Sequence, residues 1–417
     1  MFVASSAFRL PVLCTLCIGC TALIVHSDDS AGPSVFPGAT VDFLLSAADR
    51  EALDDNAQRR GDNPFSHVRV SVSADIAVND RLTVFNRTIL DPASTASAAS
   101  FLRSYLRYNL IASEQGHLNV EIGKIPTPFG HFTQRAYSDK NPLIGYPLMY
   151  HYASSLRSNQ LPANNLDLLA HRGQGFTERF TGFAGGGSST SFRGLPIIYD
   201  SCWDFGGGIV GSVWRLEYAL AVTQGTLSDP SSNTSDNNDG QQIAGRLGFV
   251  PFTGLLIQGS YARGPYLDRS VAADLNGADL EDFDQKIAGL AIEYGIRHLS
   301  VTSEIAFNSW ESPNILDTAG GAQDLNVIGF YAEATYRLAP RLHTSGRYSS
   351  LRYDDIDDGT GNGSSRSWDY DVERIEFGLG YRASEAVQYK LVSQLNDSGR
   401  PDSSGEHILA AQLSVAF

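Results

Sequence analysis

The side chains in this sequence best equipped for chemistry are cationic, and most of them are arginines. Lys124, Lys140, Lys286 and Lys390 are the only lysines among 31 basic residues. Arg69, Arg103, Arg107, Arg215, Arg246, Arg347, Arg374 and Lys390 alternate with apolar residues, which puts each on the polar side of a period-two stretch. Asp75, Glu217, Glu304, Glu333 and Glu376 fall on that same side. Arginine forks bind carboxylates and phosphates through paired hydrogen bonds, so a ladder of them can guide anionic solutes. The plainer use of the same residues is to brace a wetted wall through Arg–Glu pairs, which are common and cost little there.

Histidines and acidic clusters are the other groups that could serve chemistry. His131, His151 and His171 share one long stretch with Arg135, Arg157, Arg172, Arg179 and Glu178. No nucleophile elbow and no metal-ligand motif accompanies them, so the expectation is no enzyme, no metal and no cofactor. Asp268, Asp274, Asp279, Glu281, Asp282 and Asp284 form one acidic cluster; Asp354, Asp355, Asp357, Asp358, Asp369 and Asp371 form another. Neither has the spacing of a calcium loop, and solvation is their simplest role. Gly359-Thr360-Gly361-Asn362-Gly363 follows carboxylates and opens no helix, so it is not a phosphate cradle. With a formal net charge of −15, the chain is not expected to bind nucleic acid.

The elements that must carry these residues are strands. Val387, Tyr389 and Leu391 alternate with Gln388 and Lys390; Ile375, Phe377, Leu379 and Tyr381 alternate with Arg374 and Glu376. In Ser66–Val78 the valines, Ala74 and Ile76 take one face, and Arg69, Ser71, Ser73 and Asp75 the other. Further hairpins follow across short turns, such as Asn79-Asp80, Pro251-Phe252-Thr253, Gly295-Ile296-Arg297 and Ala339-Pro340. Long polar loops separate the hairpins. Such alternation, with no apolar run long enough for a membrane helix beyond the first residues, indicates all-β architecture.

Residues 1–27 read as a secretory signal peptide: Arg9, an apolar run from Leu10 to Val25, then Asp28 and Asp29. Cys14, Cys17 and Cys20 lie inside it, so cleavage leaves Cys202, expected to be half-buried, with no disulfide partner. Residues 28–38 are expected to be a short linker, and Ala39–Ala47 a weak first strand.

The last stretch, Glu406–Phe417, puts Leu409, Ala411, Leu413, Val415 and Phe417 on one face and ends the chain on an aromatic. An apolar strand of this kind is safe when paired on both sides in a closed barrel with lipid against it. It resembles the terminal strand of Gram-negative outer-membrane proteins, where a final Phe serves as an assembly signal. Short turns on one side and both termini beside them require an even strand number, so Ala39–Ala47 must count. The total is about sixteen, a size wide enough to hold water.

The region 125–202 is far longer than an ordinary connection. It opens Gly123-Lys124-Ile125-Pro126-Thr127-Pro128-Phe129-Gly130, and its Asn141–Leu148 piece is apolar and broken by proline. The chain looks like the sixteen-stranded general or substrate-specific porins, whose loop after the fifth strand folds inside and narrows the channel. An eighteen-strand alternative would make one more hairpin from Phe176–Ala184 and Ser191–Tyr199.

The expectation is therefore a transmembrane antiparallel β-barrel over residues 39–417, with 125–202 as constriction loop. It would pass small hydrophilic solutes, anionic ones included, by passive diffusion. Arg69, Arg103, Arg107, Lys124, Arg135, Arg157, Arg172, Arg179, Arg215, Arg246, Arg347 and Arg374 are the candidates for its lining. The rivals are a structural barrel sheathing a partner, such as a multihaem electron carrier, and a barrel enzyme. Partners would be outer-membrane lipid, lipopolysaccharide and polar solutes; the porin resemblance implies a homotrimer.

Overall fold

The computed structural model describes residues 32–48, 67–90, 99–175, 182–187, 194–200, 202–231, 237–238, 240–313, 322–359, 361–400 and 405–417. Sixteen antiparallel strands close into one barrel. In order they are β1 (Ser34–Ala48), β2 (Val68–Ala77), β3 (Leu82–Leu90), β4 (Ala99–Ser113) and β5 (Gly116–Pro126). Next come β6 (Trp203–Val213), β7 (Leu216–Thr223), β8 (Gln242–Phe252), β9 (Leu255–Pro265) and β10 (Asp284–Ile296). The remainder are β11 (Leu299–Pro313), β12 (Ala322–Ala339), β13 (Leu342–Tyr353), β14 (Val372–Arg382), β15 (Val387–Ser398) and β16 (Glu406–Ala416).

Closure runs through β1, which pairs with β2 on one side and β16 on the other, Val41 opposite Val415. The expected weak first strand is thus the closing strand, and it is longer than its sequence pattern suggested. Ser34–Gly38 belongs to it and not to a 28–38 linker, because it pairs in register with Ser73–Ala77 on β2. The eighteen-strand alternative fails: the barrel closes without the 176–199 stretch, and among the described residues Gly186–Gly187 pairs with Gln160–Leu161. The proposed leader, residues 1–27, lies outside the described residues.

The outer face is apolar. Phe377, Leu379, Leu391 and Leu409 point outward and stay exposed, while Glu376, Lys390, Gln394 and Gln412 alternate inward and are buried. At the short-turn end, Trp214, Phe252, Tyr336, Tyr381, Tyr389 and Phe417 are exposed, as in the aromatic girdle of a membrane interface. Among the described residues no helix is long and apolar enough to cross a membrane. Here each strand pairs with a neighbour on both sides, which is what a hydrocarbon environment demands.

The main hydrophobic core is inside the barrel, not between sheets. Phe129, Phe132, Tyr146, Leu148 and Tyr150 from the 127–202 connection pack with Trp310, Leu325, Val327 and Tyr331 from the wall. Tyr266, Leu267, Val271, Phe283 and Trp368 from the long-loop end join the same cluster.

Candidate functional site

The connection from β5 to β6 carries one short helix, α1 (Asn165–Ala170), capped by the Asn164 side chain on the Asp167 amide at 2.9 Å. Otherwise it has little regular structure, so its backbone needs partners, and the wall provides them. Gln258 of β9 donates to the Gly130 carbonyl at 2.9 Å, and Ser260 accepts from the Gly130 amide at 3.2 Å. Arg347 of β13 donates to the Gly145 carbonyl, and Arg374 of β14 to that of Tyr146 at 3.0 Å. Lys390 of β15 reaches the carbonyls of Ser138 at 2.5 Å and Leu143 at 3.2 Å. Leu143 and Ile144 pack on Leu44 of β1 and on Ile408 and Ala410 of β16. On the opposite side, the Arg87 guanidinium of β3 lies 4.2 Å above the Tyr137 ring. A segment meeting inward side chains from β3 round through β9 to β16 and β1 lies across the interior.

Glycines mark where it seats. A Cβ on Gly289 would come within 2.9 Å of Phe129, on Gly329 within 2.8 Å of Met149, and on Gly378 within 2.6 Å of Leu143. Each strand glycine therefore permits an approach no other residue allows.

Ion pairs hold the same segment. Arg135 pairs with Glu333 of β12 and donates to Thr302 at 2.8 Å. Arg347 bridges Glu376 at 2.7 Å and Glu333 at 3.1 Å, all three side chains fully enclosed. His131 meets Glu293 at 2.6 Å, and Tyr150 donates to Glu304 at 2.8 Å. His151 contacts Arg374 at 2.7 Å, and His171 contacts Asp167 at 3.4 Å. Among the described residues no group of three or more histidine, cysteine or acidic side chains could hold a metal.

The loop leaves open space beside it. A cavity of about 380 Å³ lies beside β4 to β8, lined by Arg103, Arg107, Lys140, Arg246, Glu121, Trp203, Thr127 and Tyr137 among others. Arg103 pairs with Asp75 at 3.2 Å, and Arg107 Nε donates to Glu121 at 2.8 Å. Arg246 reaches the Gly130 carbonyl at 3.5 Å.

The sequence candidates thus divide. Arg103, Arg107 and Arg246 line the cavity. Arg69 lines a small neighbouring space with Asp42 and Tyr146. Arg135, Arg347 and Arg374 are interior but engaged in fixing the loop. Arg157 donates to the Ser155 carbonyl at 2.7 Å and that of Gln174 at 2.8 Å; burial pulls its pKa down to about 9, against the pull of Asp369. Arg172 lies over the Tyr370 ring at 4.6 Å and bonds the Ser367 carbonyl. Both tie the long-loop end together and do not line the cavity.

Two placements are corrected. Lys124 shares the register of outward-facing Ile122 and sits 5.9 Å from the Phe205 ring, on the outer side of the wall. Arg215 is exposed in the two-residue turn between β6 and β7, bonded to the Pro251 carbonyl and stacked 5.1 Å from Trp214. The strand after the turn begins at Leu216, which leaves Arg215 in the turn, and Lys124 continues β5 instead of opening the connection. Arg179 lies outside the described residues. Cys202 is not half-buried but 1% exposed, with burial pushing its thiol pKa up, so it is inert.

Sequence reasoning missed Arg87, whose inward neighbours Phe85 and Ile89 are apolar and blur the alternation of β3. It also missed Tyr137, the ring on which Arg87 rests.

Strand number and closure define a sixteen-stranded antiparallel barrel with an apolar outer face. The fold is that of the sixteen-stranded outer-membrane porins. Similar solved structures include the anion-selective porin of Comamonas acidovorans, at 10% identity and TM-score 0.54, matching 92% of this chain and 100% of that one. Another is OmpF of Salmonella typhi in complex with daunomycin, at 12% and 0.54, over 93% and 98%. A third is OmpT, an outer membrane protein of Vibrio cholerae, at 11% and 0.52, over 95% and 100%. No family model matches the sequence, and no curated protein matches it either.

Proposed function

We propose that this protein is an outer-membrane porin, a non-enzymatic passive channel for small hydrophilic solutes with modest preference for anions. The observation that carries it is the off-centre cavity beside the interior loop, where Arg103, Arg107, Lys140 and Arg246 face a lining whose one carboxylate is Glu121. The chain as a whole is acidic, but screening confines a charge's influence to about 8–10 Å at ordinary salt. Local charge therefore sets the filter.

The loop narrows the passage and the wall charges select, so no chemical step is needed. A cleaved leader at 1–27 would deliver the chain to the outer membrane. Lipopolysaccharide beside the acidic loops and assembly into trimers extend the same reading. A sheath around a multihaem carrier would need an empty interior, and the packed loop speaks against it. Liposome swelling tests the proposal. Vesicles holding the purified protein should admit small organic anions and amino acids quickly and large oligosaccharides hardly at all. Equal exclusion of every solute would overturn it.

A further inference from the structure

We propose that the cavity beside β4 to β8 is a binding site for a small aromatic carboxylate; as a transported solute this ligand rests on the porin reading, as a bound one it does not. Three features of the lining point to one chemistry.

The first is a row of rings across neighbouring strands. Phe85 and Tyr105 stack at 4.9 Å and 19°, and Trp203 continues the row 6.4 Å from Tyr105 at 27°. Trp203 itself lines the cavity, and Ile125 and Ala221 pack with it.

The second is the shape of the wall beside that row. Gly208, Ala219 and Ala221 line the cavity on the inner face of β6 and β7, so the barrel wall is recessed there. The loop residues Pro126, Thr127 and Pro128 stand at its edge. A shallow recess bounded by an indole and small side chains takes a flat apolar body. Its volume of about 380 Å³ lies within the size range of sites for small organic molecules.

The third is an excess of donors. The guanidinium carbons of Arg103 and Arg107 lie 5.5 and 4.8 Å from the Phe85 ring centre, held flat by ring and carboxylate together. Lys140 and Arg246 add further donors to the same lining, whose carboxylate is Glu121. A carboxylate brings acceptors only, which suits them; a sugar would bring hydroxyl donors that guanidinium and indole cannot accept. An inorganic anion would meet the arginines and leave the apolar recess unused. An aromatic acid satisfies both.

Calorimetric titration of the purified full-length protein in detergent tests this, with benzoate, acetate and benzyl alcohol as probes. Benzoate should bind about tenfold more tightly than acetate, the value of one favourable ring contact. Benzyl alcohol should bind more weakly than benzoate by a similar factor. Trp203→Leu should bring benzoate down to the level of acetate, and Arg103→Gln should bring it down to that of benzyl alcohol. Ala219→Leu, which fills the recess without touching ring or charge, should weaken benzoate and spare acetate. Equal binding of benzoate and acetate, or indifference to Ala219→Leu, would overturn the site. Benzoate binding by a protein that passes no current would contradict the porin reading alone; anion conductance without benzoate preference would contradict this inference alone.

Discussion

Arg374 on the inner wall of β14 donates to the backbone carbonyl of Tyr146 at 3.0 Å, joining residues 228 positions apart. Its neighbour Arg347 does the same to Gly145, one residue earlier. The wall thus holds the loop by its backbone, and two of the guanidiniums that look like a solute ladder, Arg347 and Arg374, are spent on fixing the loop. Replacing Arg347 by Met would leave Glu333 and Glu376 buried without their shared partner. Breaking a buried pair in this way costs about 3–5 kcal/mol. The variant should unfold at a clearly lower temperature in detergent, read by loss of β-sheet circular dichroism, and an unchanged transition would count against the pairing.

Gly329 supports the loop by being absent of side chain. Any Cβ there would meet the Met149 Cβ at 2.8 Å, which cannot move without its backbone, and the Ile197 Cδ1 at 3.0 Å. Gly329→Val should cost about 1–3 kcal/mol through overpacking and shift the loop. Single-channel conductance should rise or become noisy; a variant as stable and as quiet as the parent would mean the loop is not seated against β12.

The outer face makes a prediction in lipid. Leu391 is 49% exposed on β15, pointing away from the interior, whereas Glu217 is exposed on the inner face of β7. Leu391→Arg should cost about 2–4 kcal/mol near mid-bilayer. Arginine at Glu217 should cost less than about 1 kcal/mol, as for other solvated charges. Folding titrations into lipid vesicles would separate the two, and equal penalties would contradict the assignment of faces.

How much of this was visible in the sequence follows from what each feature depends on. Strand faces were legible because lipid outside and polar groups inside impose a period of two, as in Ser66–Val78 and Glu406–Phe417. Closure through Ser34–Ala48 was legible only as a parity argument, since half of that strand pairs by backbone alone. The loop's path was not legible in detail: it depends on Arg374 finding Tyr146 and Gly378 admitting Leu143, contacts that no local pattern encodes. Arg215 and Lys124 were misplaced for a simpler reason. One residue of register decides which side a strand residue faces, and a turn boundary is where register is least certain.

Acidity should tighten the knot at the long-loop end. Asp369 accepts from the amides of Ser155, Gly173 and Tyr370 and from the Ser155 hydroxyl, yet its burial outweighs them and raises its pKa. A carboxyl whose folded pKa lies above its unfolded value of about 3.9 binds more protons when folded, so stability rises as pH falls through the folded pKa. That gain should be complete near the unfolded value and lost as pH rises through the folded one. Amide exchange at Ser155 and Gly173 should slow between neutral and mildly acidic pH beyond the intrinsic rate change. Asp369→Asn should abolish the extra slowing, and its persistence would place the titrating group elsewhere.

The central claim is a water-filled passage whose narrowest part is locally positive despite an acidic chain. Single-channel current of the purified protein in a planar bilayer, recorded across a potassium chloride gradient, tests it most directly. The account predicts ohmic open steps with a reversal potential displaced toward the chloride equilibrium potential, a displacement that shrinks as salt rises and screening shortens. A silent bilayer would contradict the channel, and a reversal potential on the potassium side would contradict the filter formed by Arg103, Arg107, Lys140 and Arg246.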